Sequence, residues 1–190
     1  MEKKIKKILK ESISVQQKIS ENYLQTIIKI ARMVIQCLKN GGKVILCGNG
    51  GSAADSQHIA SEFIGRFKID RNPLPAIALS VNTSILTCLG NDYSYQVIFS
   101  RQVQALAKKE DVLIAISTSG RSINVIEAVK TAKNIGLKSI ALTGKDGGKL
   151  AKIADVSFIV PSNETSRIQE SHITVAHIIC ELVEEQFFKK

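Results

Sequence analysis

Residues 117–122 read Ser-Thr-Ser-Gly-Arg-Ser, and they follow the apolar run Val112–Ile116 without a spacer. That run is too short and too rich in β-branched residues for a helix, and reads as a buried parallel strand. A helical pattern over Ile123–Asn134 begins directly afterwards, so Ser117, Thr118, Ser119 and Ser122 fall on a strand-to-helix turn. Helix N-termini present unpaired N–H groups and the positive end of the dipole, and hydroxyls beside them complete an oxyanion cradle. No Gly-Lys-Ser/Thr follows, which excludes a nucleoside triphosphatase loop. The chemistry suited to this turn is retention of the phosphate of a small phosphorylated metabolite.

Further candidates lie elsewhere. Gly48-Asn49-Gly50-Gly51-Ser52-Ala53 satisfies the G-x-G-x-x-A spacing. A dinucleotide site also needs an acid at the end of the next strand to hold the ribose. That strand ends Leu79-Ser80-Val81-Asn82, with no acid, so dinucleotide binding is set aside. The glycines then let the backbone approach a ligand, or simply make a tight turn. On the helix leaving this loop, His58 and Glu62 are four residues apart and share a face. Such spacing serves metal ligation, a paired acid and base, or an exposed ion pair, and two residues alone do not make a zinc site. The last helix offers Gln169, Glu170, His172 and His177. Ser166-Arg-Ile-Gln169 fits a capping box. His177 sits among Val175, Ala176, Ile178, Ile179 and Leu182, as a satisfied core histidine or, beside a carboxylate, a proton shuttle. Gly90-Asn91-Asp92 reads as a polar turn able to meet a polyol.

The elements that must position these residues follow from periodicity. Residues 4–39 are helical by pattern, with a break or bend at Ser20-Glu21-Asn22 and a stop at Asn40-Gly41-Gly42. Strands are expected at 43–47, 76–80, 111–116, 139–143 and 155–160. Helices are expected at 52–67, 83–89, 95–108, 122–135 (closed by Gly136), 148–153 and 166–188. Strands alternating with helices imply a doubly wound parallel α/β sheet of five strands, flanked by helices, with an N-terminal helical extension. Ligands in such sheets bind at the carboxyl edge of the strands.

The chain has 190 residues, 44% hydrophobic and 23% charged, as expected for one soluble globular domain with a substantial core. The lysine-rich N-terminus has no apolar signal region, and no segment approaches 18 apolar residues, so neither export nor membrane insertion is expected. Cys37, Cys47, Cys88 and Cys180 have no metal-type spacing and lie in apolar segments, which suggests buried free thiols in a reducing cytoplasm. The formal charge is +9, much of it on Lys3, Lys4, Lys6, Lys7 and Lys10, on the helix face opposite Ile5, Ile8 and Leu9. The three Tyr and six Phe do not interleave with these lysines, so no nucleic-acid stacking platform is expected. A positive surface also speeds encounter with anionic sugar phosphates.

The runs CGNGGSAADSQHIASEFIGRF, LGNDY, ISTSGRS, LTGKDGG and RIQESHITVAH together resemble the sugar isomerase (SIS) domain family. The similarity covers nearly the whole chain and is closest to the branch interconverting sedoheptulose 7-phosphate and D-glycero-D-manno-heptose 7-phosphate. That reaction supplies nucleotide-activated heptoses for bacterial lipopolysaccharide or capsule. The resemblance implies a substrate site at Asn49, Gly50, Gly51, Ser52, Glu62, Asn91, Asp92, Ser117, Thr118, Ser119, Ser122 and Gln169. It implies Glu62 as catalytic base, His177 as its partner acid/base, and zinc at His58, Glu62, Gln169 and His177. It further implies a cytoplasmic homotetramer with active sites at subunit interfaces. The expected organisation is one SIS domain over 1–190, with residues 1–40 used in oligomerisation and 41–190 as the α/β core.

Isomerisation through a cis-enediol needs one carboxylate at the C1–C2 bond and a second group to shuttle protons among the oxygens, which suits this pair. Gln169 and His177 are eight residues apart, about 12 Å along one helix. Joint ligation therefore calls for extended side chains, a distorted helix start, or ligands from different subunits. Two non-isomerising readings share the scaffold. Relatives that associate with the replication initiator look similar in the STS and RIQE segments but lack the acid/base pair. Sugar-phosphate-sensing modules accompany a DNA-binding domain, for which this chain has no room. The stretch Ser162–Ser166 varies among relatives, some of which carry aspartate at the position of Ser166.

Overall fold

The computed structural model describes residues 1–188. The N-terminal helical pattern divides where expected. α1 (Glu2–Asn22) ends at Tyr23, and α2 (Leu24–Lys39) starts at once. In the last turn of α1, Ser20 Oγ donates to the Gln17 carbonyl and Asn22 Nδ2 to that of Lys18. Such side-chain bonds compete with helix propagation. The face of α1 differs from a simple amphipathic reading. Val15 and Ile19 are buried, whereas Ile5, Leu9 and Ile13 are more than half exposed. Besides these two core side chains, α1 is held by polar contacts to the last helix, with Arg167 Nη1 donating to the Ile8 carbonyl at 2.8 Å and Ser12 Oγ to Glu170 at 2.9 Å.

Five strands form one parallel sheet: β1 (Val44–Gly48), β2 (Ala76–Ala78), β3 (Val112–Ser117), β4 (Lys138–Gly144) and β5 (Val156–Val160). The order is β2-β1-β3-β4-β5. Chain direction across the sheet reverses between β1 and β3, so the carboxyl ends of those two strands border a crevice of the kind that takes ligands. Residues of one parity, among them Leu46, Ile114, Ile140 and Leu142, pack with α2, α3 (Gly51–Ile64) and α8 (Thr165–Phe188). Residues of the other parity, Ile45, Cys47, Leu113, Ala115 and Ala141, face α4 (Thr83–Asp92), α5 (Ser100–Leu106), α6 (Ile123–Ile135) and α7 (Gly148–Ile153). Each fully buried Ile, Leu or Phe side chain in these layers contributes about 1.5–3 kcal/mol. No helix among the described residues is long and apolar enough to cross a membrane.

Several expectations are revised. The helix expected over 95–108 is a 3₁₀ turn (Tyr95–Val97) followed by the short α5. Ile98 and Phe99 dive into the core between them, each 1% exposed. Gly90-Asn91-Asp92 is not a turn but the last stretch of α4, whose start is capped by Asn82 Oδ1 accepting from Ile85 N–H at 3.0 Å. Cys88 is exposed rather than buried, because α4 sinks only Leu89 fully into the core; Cys37, Cys47 and Cys180 are buried free thiols. α8 opens at Thr165, so Ser166 lies inside its first turn and is not the N-cap of a capping box.

Candidate active site

Two turns meet at the crevice. After β1, the chain turns through Asn49-Gly50 into α3, with Ser52 N–H donating to the Asn49 carbonyl at 3.0 Å. After β3, Gly120 N–H closes a turn onto the Ser117 carbonyl at 3.0 Å, and the Ser117 and Ser122 hydroxyls lie 2.9 Å apart. Ser119 Oγ accepts from Arg121 N–H at 3.2 Å, and the Arg121 guanidinium reaches Asp146 on the next loop at 2.6 Å. The two turns are tied together by a reciprocal amide pair. Asn49 Nδ2 donates to Asn124 Oδ1 at 2.8 Å, and Asn124 Nδ2 donates back at 2.9 Å. Tyr95 Oη adds a third bond to Asn49 Oδ1 at 3.1 Å. The N-termini of α3 and α6 thus converge with hydroxyls and amides around them, an arrangement that favours an anion.

Gly51, the first residue of α3, is where α8 comes closest. A Cβ there would overlap the Gln169 amide, so a larger residue would push that side chain out of its place. Further along, His58 on α3 meets His177 on α8, their Nε2 atoms 2.9 Å apart. Contacts advance in step along both helices, so α3 and α8 run parallel from the carboxyl edge of the sheet. Their register is held from beneath by His172, fully buried, whose Nε2 lies 3.0 Å from the Thr143 carbonyl of β4. Burial, only partly offset by that bond, pushes the His172 pKa down to about 4.

Glu62, one turn beyond His58, brings Oε1 to 3.3 Å from His58 Nε2. One ligand atom from each of His58, Glu62 and His177 lies within 4.8 Å of the others. Two imidazole nitrogens and a carboxylate oxygen are a donor set suited to zinc, whose tetrahedral ligands stand roughly 3.3 Å apart at bonds of 2.0–2.1 Å. The triad fits such an ion with small adjustments. Phe67 packs against His177 at 5.6 Å between ring centroids. Asp55, one turn before His58, has a buried Oδ2 with no hydrogen-bond partner among the described residues. Burial raises its pKa, partly opposed by His58.

Residues 8–144 match the SIS domain family. The chain is 57% identical to a phosphoheptose isomerase of Aquifex aeolicus, with 97% of each chain covered. It is 55% identical to a phosphoheptose isomerase of Clostridium acetobutylicum, over 95% of this chain and 93% of that one. The chain belongs to the phosphoheptose isomerase family. The solved phosphoheptose isomerase GmhA from Neisseria gonorrhoeae superposes with a TM-score of 0.92 at 44% identity, covering 97% of this chain and 98% of that one. The enzyme from Francisella tularensis gives 0.93 at 38%, over 96% and 97%.

Of the positions that the phosphoheptose isomerase resemblance assigns, His58, Glu62 and His177 come together at one point. Ser117 and Ser122 join in the second turn, with Thr118 and Ser119 half-buried between them. Ser52 is buried in the first turn of α3, beside Gly50 and Gly51. Gln169 stands at Gly51, about 12 Å along α8 from His177 by helix rise. Asn91 and Asp92 lie exposed at the end of α4, bonded to each other at 2.8 Å. That bond, then one from Cys88, holds the Asp92 carboxyl below the usual range. Sequence reasoning missed Asp55, Asn124, Tyr95 and Phe67. Asp55 continues the 58/62 stripe one turn upstream, a signal that the same helical spacing carries. Asn124 opens the helix after the serine turn, but its pairing with Asn49 depends on β1 and β3 being neighbours.

Proposed function

We propose that the chain interconverts D-sedoheptulose 7-phosphate and D-glycero-D-manno-heptose 7-phosphate as an intramolecular oxidoreductase. The observation that carries this is the His58–Glu62–His177 cluster two turns along α3 from the convergent anion-favouring turns. Seven residues of helix span about 10.5 Å. An extended seven-carbon phosphate measures roughly 10 Å from C1 to phosphorus at bonds of about 1.5 Å. A substrate of that length laid along α3 from Gly51 spans to His58, which is compatible with one end at the cluster and the other at the turn before α3. Ser117, Thr118, Ser119 and Ser122 bind the phosphate, with Gly50, Gly51 and Ser52 offering backbone and hydroxyl donors. Asn49, Gln169, Asn91 and Asp92 contact the polyol. Holding the unreactive end supplies binding energy that keeps C1 and C2 at the cluster.

Glu62 removes the proton from C1 of the open-chain ketose as O2 is protonated, giving the cis-enediol. It returns the proton to C2 as O1 loses its own, giving the aldose. His177 carries the proton between the oxygens. His58, Glu62 and His177 would hold a zinc ion, which would supply Lewis-acid polarisation of the substrate oxygens; Gln169, the fourth residue implied by the family, stands at Gly51, outside this triad. The enzyme works as a cytoplasmic homotetramer, feeding heptose synthesis for lipopolysaccharide or capsule. Two observations support assembly: the apolar face of α1 open to solvent, and the 48% side-chain exposure of His58, which leaves one wall of the site to a partner subunit.

The test is incubation with sedoheptulose 7-phosphate, following aldose formation for wild type, Glu62→Gln and His177→Ala. Wild-type turnover with a loss of at least a hundredfold in both variants is expected. A folded wild type that gives no aldose overturns the proposal.

A further inference from the structure

Loop 65–75, between α3 and β2, carries no helix or strand, yet it is bound to α8 by a buried ion pair. Glu184, 3% exposed, accepts Phe67 N–H at 3.1 Å, Lys68 N–H at 2.9 Å and Ile69 N–H at 3.2 Å. Its Oε2 also accepts Arg71 Nε at 2.8 Å. Arg71 then spends its remaining donors on backbone. Nη2 donates to the Glu62 carbonyl at 2.8 Å, and Nη1 to the carbonyls of Phe63 at 2.9 Å and Asn72 at 3.0 Å. Carbonyls at a helix C-terminus lack intrahelical partners and carry the negative end of the dipole, so a buried guanidinium there is well matched. Although burial alone would raise the Glu184 pKa, the hydrogen bonds from Lys68 N–H, Arg71 and the neighbouring N–H groups bring it below the usual value.

This pair touches both halves of the proton-transfer couple without reaching the substrate. Arg71 grips the backbone of Glu62 itself. Glu184 anchors the N–H of Phe67, whose ring lies against His177. Glu184 is also seven residues beyond His177, two turns along the same face of α8. We infer that Arg71 and Glu184 form a positioning clamp that sets the separation of the Glu62 carboxylate and the His177 imidazole. The inference rests on the isomerase reading for its kinetic consequence and on geometry alone for its spectroscopic one. Misplacing a reacting group by about 1 Å costs on the order of a hundredfold in rate. Glutamine at 184 offers one acceptor oxygen to four donors and turns its amide hydrogens on the rest, so the loop must shift.

The experiment compares Glu184→Gln and Arg71→Lys with Asp111→Asn. Asp111 is an equally buried ion-pair carboxylate, accepting from Lys43 Nζ at 2.6 Å at the other end of β3. The clamp predicts a fall in kcat of tenfold or more in Glu184→Gln, with KM for sedoheptulose 7-phosphate changed less than twofold. Arg71→Lys, which keeps the charge but not the fork that reaches the Glu62 and Phe63 carbonyls, lowers kcat by less than Glu184→Gln. Asp111→Asn lowers the melting temperature and leaves kcat unaltered. Independently of turnover, the His177 imidazole proton resonances, shifted by the Phe67 ring, move in Glu184→Gln and stay in place in Asp111→Asn. Stationary His177 resonances in folded Glu184→Gln, or a kcat within twofold of wild type, overturn the inference. Should both clamp variants fail to fold at 25 °C, Glu184→Asp, which keeps the carboxylate but shortens its reach to the loop, decides: unmoved His177 resonances there overturn the inference as well.

Discussion

Acidification probes how α8 is seated on the sheet. The Thr143 carbonyl can only accept, so His172 Nε2 carries the proton, and Nδ1 is buried without a partner among the described residues. A second proton on that ring would be a charge with no counter-ion at zero exposure. Burial therefore moves the pKa from 6.5 to about 4, the bond to Thr143 opposing it only in part. Unfolding returns the imidazole to about 6.5. The folded pKa is the lower one, so the stabilisation is intact above pH 6.5 and drains away as pH falls toward 4. A gap of about 2.5 units corresponds to about 3 kcal/mol in full, of which about 2 kcal/mol is gone by pH 5. The assay is urea denaturation at pH 8, 6.5 and 5 for wild type and His172→Gln. Glutamine can still donate to Thr143 but takes up no proton. Carboxylates titrate in both proteins and cancel in the difference. Wild type should lose about 2 kcal/mol more than the variant between pH 8 and pH 5. Parallel losses would mean that His172 is not a buried neutral anchor.

Two further outcomes follow from the geometry. Gly51→Ala places a methyl group where the Gln169 amide lies, so KM for the sugar phosphate should rise at least fivefold with the circular dichroism spectrum unchanged. An unaltered KM would remove the Gly51–Gln169 contact from the binding site. Ile13→Glu puts a charge on the open apolar face of α1, where the side chain is 57% exposed. Sedimentation velocity should then report smaller species than wild type, and an unchanged sedimentation coefficient would clear this face of any role in assembly.

The alternating strands and helices were legible because each buried strand is a short β-branched or apolar run that stops at glycine, serine or proline. Where the pattern misled, tertiary contacts had overridden local preference. Tyr95–Lys108 looks like one helix until Ile98 and Phe99 are drawn inward, which splits it. Ile5, Leu9 and Ile13 look like a core face, but none of the described residues covers them. Gly90 suggested a turn, yet Asn82 had already capped a helix long enough to run through it.

The residues of the proposed site that cluster in the fold were legible in the sequence, whereas those that align them were not, for a physical reason. His58 and Glu62 advertise themselves through helical spacing, and the serine turn through its position between strand and helix. Residues that orient them act across the fold: Asn124 on Asn49 over 75 residues, and Glu184 on Arg71 over 113. Their chemistry is also ordinary, since buried amide pairs and ion pairs occur wherever backbone groups need partners. Only the parallel run of α3 and α8 turns such contacts into alignment devices, because α3 begins at one anion-favouring turn and carries His58 and Glu62 while α8 carries Gln169 and His177. Any shift between those rods changes the distance from Glu62 to His177. His172 at one end and the Arg71–Glu184 pair at the other resist that shift, so the alignment of the His58–Glu62–His177 cluster is a property of the helix pair as a whole.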